Sequence, residues 1–331
     1  MNKFADTTPT RNLALELARV TEAAALAAGR FMGRGDKEGA DQAAVNAMRI
    51  VLQTVDMNGI IVIGEGEKDH APMLYNGENV GNGSPPDVDV AVDPIDGTRP
   101  LAFGRSNSLA TVAIAPRGTM FDPGPFVYMN KLAVGPEAKG LINIEKPIAE
   151  NLKAVAKARD KEVEDLTVII LDRPRHEKMI AEIRKAGARI RIIPDGDVAA
   201  ALMTAWPDSG VDVLIGIGGT PEGVLAACAL RAMGGEIQGK LYARDDDELH
   251  RGREAGYDFD KILTMDDLVA SEDVFFAATG ITDGELLHGV RYFGDGAKTD
   301  SIVVRGLTGT VREIIATHRI DKLDQLSAIK Y

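Results

Sequence analysis

The sequence predicts an α/β fold of two closely packed sub-domains, and three observations carry that prediction. Residues 1–150 read as helices followed by short β-branched runs separated by turns, a texture that favours antiparallel pairing. From Leu166 onward strand-like and helix-like segments alternate, which implies a parallel or mixed layer with loops at the strand ends. No Ser/Pro-rich linker, internal repeat or low-complexity tract separates the halves, so sub-domains 1–150 and 151–331 are expected to form one catalytic unit over 1–331.

Each element has its own local reason. Residues 10–32 are rich in alanine and leucine at helical spacing, with Thr10 placed to cap the helix and Gly33-Arg34-Gly35 to end it. A second helix is expected over 40–56, opened by Asp41. Gly59-Ile60-Ile61-Val62, Val88-Asp89-Val90-Ala91-Val92 and residues 108–115 read as strands. Asp122-Pro123-Gly124-Pro125 is a turn; 126–134 and 140–144 read as further strands, and Pro147 opens a helix over 149–159. Then follow strand 167–171, helix 176–186 stopped by Gly187, strand 189–193, the turn Asp195-Gly196-Asp197 and helix 198–206. Strand 211–217 leads to helix 222–233, with Pro221 suited to its first turn and Thr220 to its cap. Asp245 to Glu248 reads as a solvated turn before a helix, and Asp266-Asp267 as a helix cap.

Composition excludes several function classes. With 331 residues and 45% hydrophobic content, a large core needs no covalent staples. A net charge of −12 and only 5% aromatics argue against nucleic-acid or membrane-surface partners. An anionic ligand would therefore need cations gathered locally. Cys228 is the only cysteine and lies on an apolar helical run, so it reads as core, and no intrachain disulfide can form. No basic-then-apolar leader is visible, and no segment approaches the ~20 apolar residues of a membrane span, so a cytoplasmic protein is expected. The five histidines form no HExxH pattern, and no serine sits in G-x-S-x-G, which removes support for zinc-hydrolase and serine-nucleophile chemistry.

The chemistry concentrates in a few turns. Asp93-Pro94-Ile95-Asp96-Gly97-Thr98 sets two carboxylates and a hydroxyl where a strand breaks. Hard divalent cations take several oxygens from such a turn, and a hydroxyl beside a metal can position water; the alternative is an Asp-rich surface turn. Upstream, Gly64-Glu65-Gly66-Glu67 alternates acids with glycines that permit close approach, or is simply a solvated loop. Asp36 and Asp41 lie at a loop-to-helix junction, where Asp41 is either a ligand or a first-turn acid favoured by the helix dipole. Arg173-Pro174-Arg175 holds two guanidiniums extended, suited to gripping one phosphate or to a solvated basic loop. Asp195 and Asp197 are placed to accept bonds from sugar hydroxyls, unless they form an unliganded acidic turn. Tyr128 either packs on a sugar or belongs to the core. Gly216 to Gly223 ends a strand and opens a helix, a place where free amides commonly hold phosphate, although Glu222 would repel a bare anion unless a metal lay between them.

The six-residue acidic turn with an upstream Gly-Glu resembles the lithium-sensitive, metal-dependent phosphomonoesterases, which include inositol monophosphatases and fructose-1,6-bisphosphatases. Gly33-Arg34-Gly35-Asp36-Lys37, Ala71-Pro72-Met73-Leu74-Tyr75, Arg173-Pro174-Arg175-His176, Pro194-Asp195-Gly196-Asp197-Val198 and Gly218-Gly219-Thr220-Pro221-Glu222-Gly223 narrow the resemblance to the class II, GlpX-type fructose-1,6-bisphosphatases. It covers nearly the whole chain in order. The resemblance implies a five-layer αβαβα sugar-phosphatase fold and hydrolysis of the 1-phosphate of fructose 1,6-bisphosphate. It implies two or more Mg²⁺ or Mn²⁺ ions held by Asp41, Glu65, Asp93, Asp96 and Glu222, with Thr98, oriented by Asp36, positioning the attacking water. Substrate contacts are implied at Asp96, Gly97, Thr98, Tyr128, Arg173, Pro174, Arg175, Asp195, Gly196, Asp197 and Gly219. A homo-dimer or homo-tetramer is implied as well. One departure bears on the metal: many members carry Glu where Asp96 stands, so the ligand oxygen is kept and its reach shortened.

Other functions compete. Sedoheptulose 1,7-bisphosphate or inositol monophosphate are alternative substrates, and the arginine pair favours a bisphosphate. A catalytically silent sugar-phosphate sensor would keep the arginines and lose metal ligands, all five of which are present. A nucleotide-binding dehydrogenase fails on the glycine order.

Overall fold

The computed structural model describes residues 12–64, 73–124, 126–326, 328–329 and 331. The chain opens with helices α1 (Ala14–Gly29) and α2 (Lys37–Leu52), then strands β1 (Asn58–Ile63), β2 (Asn79–Val80) and β3 (Asp87–Asp96). A short helix α3 (Thr98–Ala102) separates β3 from β4 (Leu109–Pro116) and β5 (Tyr128–Val134). The alternating part runs α4 (Ile148–Ala158), β6 (Thr167–Leu171), α5 (Glu177–Ala186), β7 (Arg189–Ile193), α6 (Asp197–Met203), β8 (Val213–Gly219) and α7 (Thr220–Met233). Strand β9 (Glu236–Leu241), helices α8 (Asp246–Glu254) and α9 (Met265–Leu268), strands β10 (Phe275–Gly280), β11 (Arg291–Phe293), β12 (Gly296–Arg305) and β13 (Thr310–Arg319), and helix α10 (Ile320–Leu326) complete it.

Two sheets result. Among the described residues the first has eight strands, in the order β11-β12-β10-β4-β3-β1-β2 with β13 on β12; the second has five, in the order β7-β6-β8-β5-β9. The first is antiparallel except for β1 beside β3. In the second, β7, β6 and β8 run parallel, while β5 is antiparallel to both β8 and β9.

Strand periodicity explains the layering. Val168 and Ile170 of β6 pack with Leu152, Val155 and Ile183 of α4 and α5, whereas Ile169 and Leu171 turn the other way. That second face meets Val198 and Leu202 of α6 and Val224, Leu225 and Cys228 of α7. The same helices also pack on Ala91, Ala113 and Phe276 of the first sheet. The sheet's far face, through Val90, Val92, Val112 and Ala277, buries α1 and α2. The five layers are thus α1/α2, sheet, α6/α7, sheet and α4/α5. Cys228 is wholly buried, and burial pushes its thiol up to about 12, as a core cysteine requires.

Three local expectations are corrected. Residues 140–144 form no strand, because side chains take the place of a neighbouring ladder. Ile144 N–H bonds to Gln238 Oε1 at 3.0 Å, Gln238 Nε2 donates to Ile142 O at 3.1 Å, and Asn143 N–H bonds to Asn151 Oδ1 at 2.8 Å. Helix α2 begins at Lys37, earlier than expected, since Asp36 caps it by accepting from Gly39 N–H at 2.9 Å. Thr220 does not cap α7: Gly219 is the cap residue, and the buried Thr220 hydroxyl finds no partner among the described residues. Thr10 lies outside the described residues.

Candidate active site

Sheet irregularity builds the acidic turn. Asp93 stands opposite Thr111 of β4, yet Asp96 stands opposite Leu109, so Pro94 and Ile95 of β3 face the single Ala110 of β4. The extra residue is a bulge at Pro94-Ile95, where proline has no amide to leave unpaired. Residues three apart on a regular strand point to opposite faces. The bulge turns Asp93 and Asp96 to the same face, the one that meets α6 and α7. Gly97 then takes φ +91, a left-handed conformation that ends the strand and starts α3 with Thr98. Ser108 Oγ fixes the turn by donating to Gly97 O at 2.7 Å.

The Thr98 hydroxyl lies 3.2 Å from both Asp41 Oδ1 and Ile95 O, and its single proton serves one acceptor at a time. Asp41 reaches it from the first turns of α2. The expected pairing of Asp36 with Thr98 is not what the structure shows. The exposed Asp36 carboxylate is committed to the start of α2, and the acid at Thr98 is Asp41.

Asp96 is buried and accepts from the Ala199 amide of α6 at 3.2 Å. Burial first, and then the carboxylates of Asp197, Asp195 and Glu222, raise its pKa well above the usual carboxylate range. These four acids, drawn from both sheets, therefore share one region. The Asp195-Gly196-Asp197 turn packs so closely that a Cβ on Gly196 would stand 3.1 Å from Asn107 O and 3.8 Å from Asp96 Oδ2. Gly196, at φ +88, tolerates that turn as few residues would. At Gly219 a Cβ would fall 1.6 Å from Glu222 Oε2, so the carboxylate folds over bare backbone.

Lys131 of β5, also buried, pairs with Asp197 and donates from Nζ to Gly219 O at 2.8 Å. It ties the acidic turn to the start of α7. No role had been read for it. A lysine at an inward register position between Met129 and Ala133 was the available signal.

The arginine turn closes the other side. Arg173 Nη1 donates to Pro194 O at 2.7 Å, and Nη2 lies 3.3 Å from Asp195 Oδ1. Arg175 instead donates to Ile217 O from Nη2 at 2.7 Å and Nε at 3.2 Å, and its guanidinium carbon stands 5.0 Å from the Tyr128 ring centre. Tyr128 is registered opposite Gly219. The two guanidiniums thus point to different strand ends, Arg173 to β7 and Arg175 to β8, with the exposed Pro174 between them. His176, expected only as a helix start, is fully buried.

The donor set fits hard divalent cations. Asp41, Asp93, Asp96 and Glu222 offer oxygen alone, and the raised Asp96 pKa marks a desolvated crowd of negative charge that a cation relieves. Glu65 lies outside the described residues. Among those described, no three acidic, histidine or cysteine side chains converge closely enough to share one ion.

Comparison with known proteins gives a consistent answer. A family model described as bacterial fructose-1,6-bisphosphatase, glpX-encoded, matches residues 11–318. The chain is 49% identical to fructose-1,6-bisphosphatase 1 class 2 of Escherichia coli (strain K12), over 95% of this chain and 97% of that protein. Identity and coverage are the same against the fructose-1,6-bisphosphatases class 2 of Escherichia coli O6:H1 (strain CFT073) and Shigella flexneri.

Proposed function

The chain belongs to the bacterial, glpX-encoded fructose-1,6-bisphosphatase family, and on that premise we propose that it hydrolyses the 1-phosphate of D-fructose 1,6-bisphosphate to fructose 6-phosphate and inorganic phosphate. The observation that carries the reading is the meeting of an acidic pole with a cationic one. Asp195, Asp197 and Glu222 gather around Asp96, two residues before Thr98, and Arg175 stacks over Tyr128, which is registered opposite Gly219.

Asp41, Asp93, Asp96 and Glu222, with Glu65, are the proposed holders of two or more Mg²⁺ or Mn²⁺ ions. Bound, such ions offset the charge of the scissile phosphate and lower the pKa of water. Thr98 donates to Asp41, which leaves its oxygen lone pairs free to accept from and orient a water for in-line attack. Arg175 and Tyr128 grip the distal phosphate and sugar; Arg173 braces the Asp195 turn, whose carboxylates accept from sugar hydroxyls. The Lys131 pair with Asp197 keeps that turn seated. A homo-dimer or homo-tetramer in the cytoplasm completes the reading; among the described residues no helix is long and apolar enough to cross a membrane.

The test is phosphate release from fructose 1,6-bisphosphate, sedoheptulose 1,7-bisphosphate and inositol monophosphate, each with metal and with excess chelator. Metal-dependent release, fastest from the fructose bisphosphate, supports the reading. A preference for inositol monophosphate overturns the distal grip.

A further inference from the structure

Strands β6 and β8 pair in parallel at Val168 with Val213 and Ile169 with Leu214, and then part. Two residues further at that register, Leu171 would face Gly216. The slanted bonds of a parallel ladder would next join Leu171 C=O to Ile217 N–H. The His176 imidazole fills that rung. Nδ1 lies 2.7 Å from Leu171 O, and Nε2 accepts from Ile217 N–H at 2.8 Å. A ring nitrogen facing a carbonyl must carry the proton, and one facing an amide N–H must not, so the tautomer is Nδ1–H. Gly216 makes room: a Cβ there would stand 3.2 Å from His176 Cε1. The other polar group of the same residue, Ile217 O, accepts both bonds from Arg175. Consecutive residues of the turn thus hold the N–H and the C=O of Ile217.

We propose that His176 is a positioning residue: wedged between the ends of β6 and β8, it spreads the strands and fixes Ile217, which in turn aims the Arg175 guanidinium at the distal phosphate. The inference rests on the proposed reading of Arg175 as a phosphate ligand. Ligands of open α/β sheets sit in the crevice beyond the carboxyl ends of strands, and the wedge stands at that end. Burial pushes the His176 pKa down, with Arg175 and then Arg173 acting in the same direction. Those two arginines are the charged groups facing the ring among the described residues; from β6 and β8 it meets main-chain groups.

The experiment is a double-mutant cycle read by calorimetric titration with fructose 6-phosphate, which carries the distal phosphate alone. Arg175→Ala is expected to weaken binding ~10-fold or more, as for loss of a charged hydrogen bond. His176→Leu should do nearly the same, and the double variant should lose little beyond either single one. His176→Gln, whose amide keeps one donor and one acceptor, should stay within about 3-fold of the parent, well inside the effect of a lost charged bond. Near-normal binding by His176→Leu, or losses that multiply in the double variant, would overturn the inference while leaving Arg175 as a ligand. Normal binding by Arg175→Ala would overturn the reading beneath it. Should His176→Leu not fold, His176→Asn, whose shorter amide cannot span from Leu171 O to Ile217 N–H, takes its place in the cycle: a loss shared with Arg175→Ala supports the inference, and near-normal binding or multiplying losses overturn it.

Discussion

At the scale of single residues, Thr98 and Asp96 carry the sharpest expectations. The Thr98 hydroxyl has an acid partner, so Thr98→Ala should lower kcat at least ~100-fold with little change in KM, as for a group acting mainly in the transition state. Thr98→Ser should keep part of the rate; steady-state kinetics on the three proteins decide. Asp96→Asn should raise the metal concentration needed for half-maximal rate far more than Asp96→Glu, because the amide removes charge and the longer acid keeps it. Equal metal titrations for all three would make Asp96 a structural turn residue. Asp93, Asp96 and Thr98 were legible because one contiguous turn holds them. Lys131 and His176 were not, because they act through partners far along the chain: Asp197 and Gly219 O for the lysine, Ile217 N–H for the ring.

At the scale of elements, the seam between α1 and the first sheet holds a titratable carboxyl outside the site. Glu22 of α1 is half-buried beside Thr299 of β12, whose hydroxyl lies 2.7 Å from His318 Nε2 on β13. Burial pushes the Glu22 carboxyl up to about 7 from an ordinary 4.5, against the pull of Arg19. A raised acid binds its proton more tightly in the folded state, so stability falls as pH rises from about 4.5 to about 7. Glu22→Gln should therefore stabilise the protein by about 2 kcal/mol at pH 8 and change little at pH 4. Chemical denaturation at the two pH values measures it; an equal effect at both would remove the linkage. Strand and helix order from β6 to α7 followed directly from alternating apolar runs. Residues 140–144 misled because their alternating apolar pattern looks like a strand, while Gln238 and Asn151 satisfy their backbone.

At the scale of the molecule, the chain crosses between its two sheets more than once. Strand β5 joins the second sheet, and β10 to β13 return to the first. The candidate site draws on that exchange: Asp93 and Asp96 lie on β3 of one sheet, Tyr128 on β5 of the other, and the arginine turn and Glu222 follow β6 and β8. A net charge of −12 is reconciled with an anionic substrate by the Arg175 guanidinium over Tyr128, since Lys131 and Arg173 are already paired with Asp197 and Asp195. Composition announced that local cations were needed, but not which strand ends would supply them. The most direct test of the whole account is ³¹P NMR identification of the products from fructose 1,6-bisphosphate. Fructose 6-phosphate and equimolar phosphate should form with Mg²⁺ or Mn²⁺, cease in excess chelator and resume when metal is restored. Fructose 1-phosphate as the product, or undiminished turnover in chelator, would contradict it.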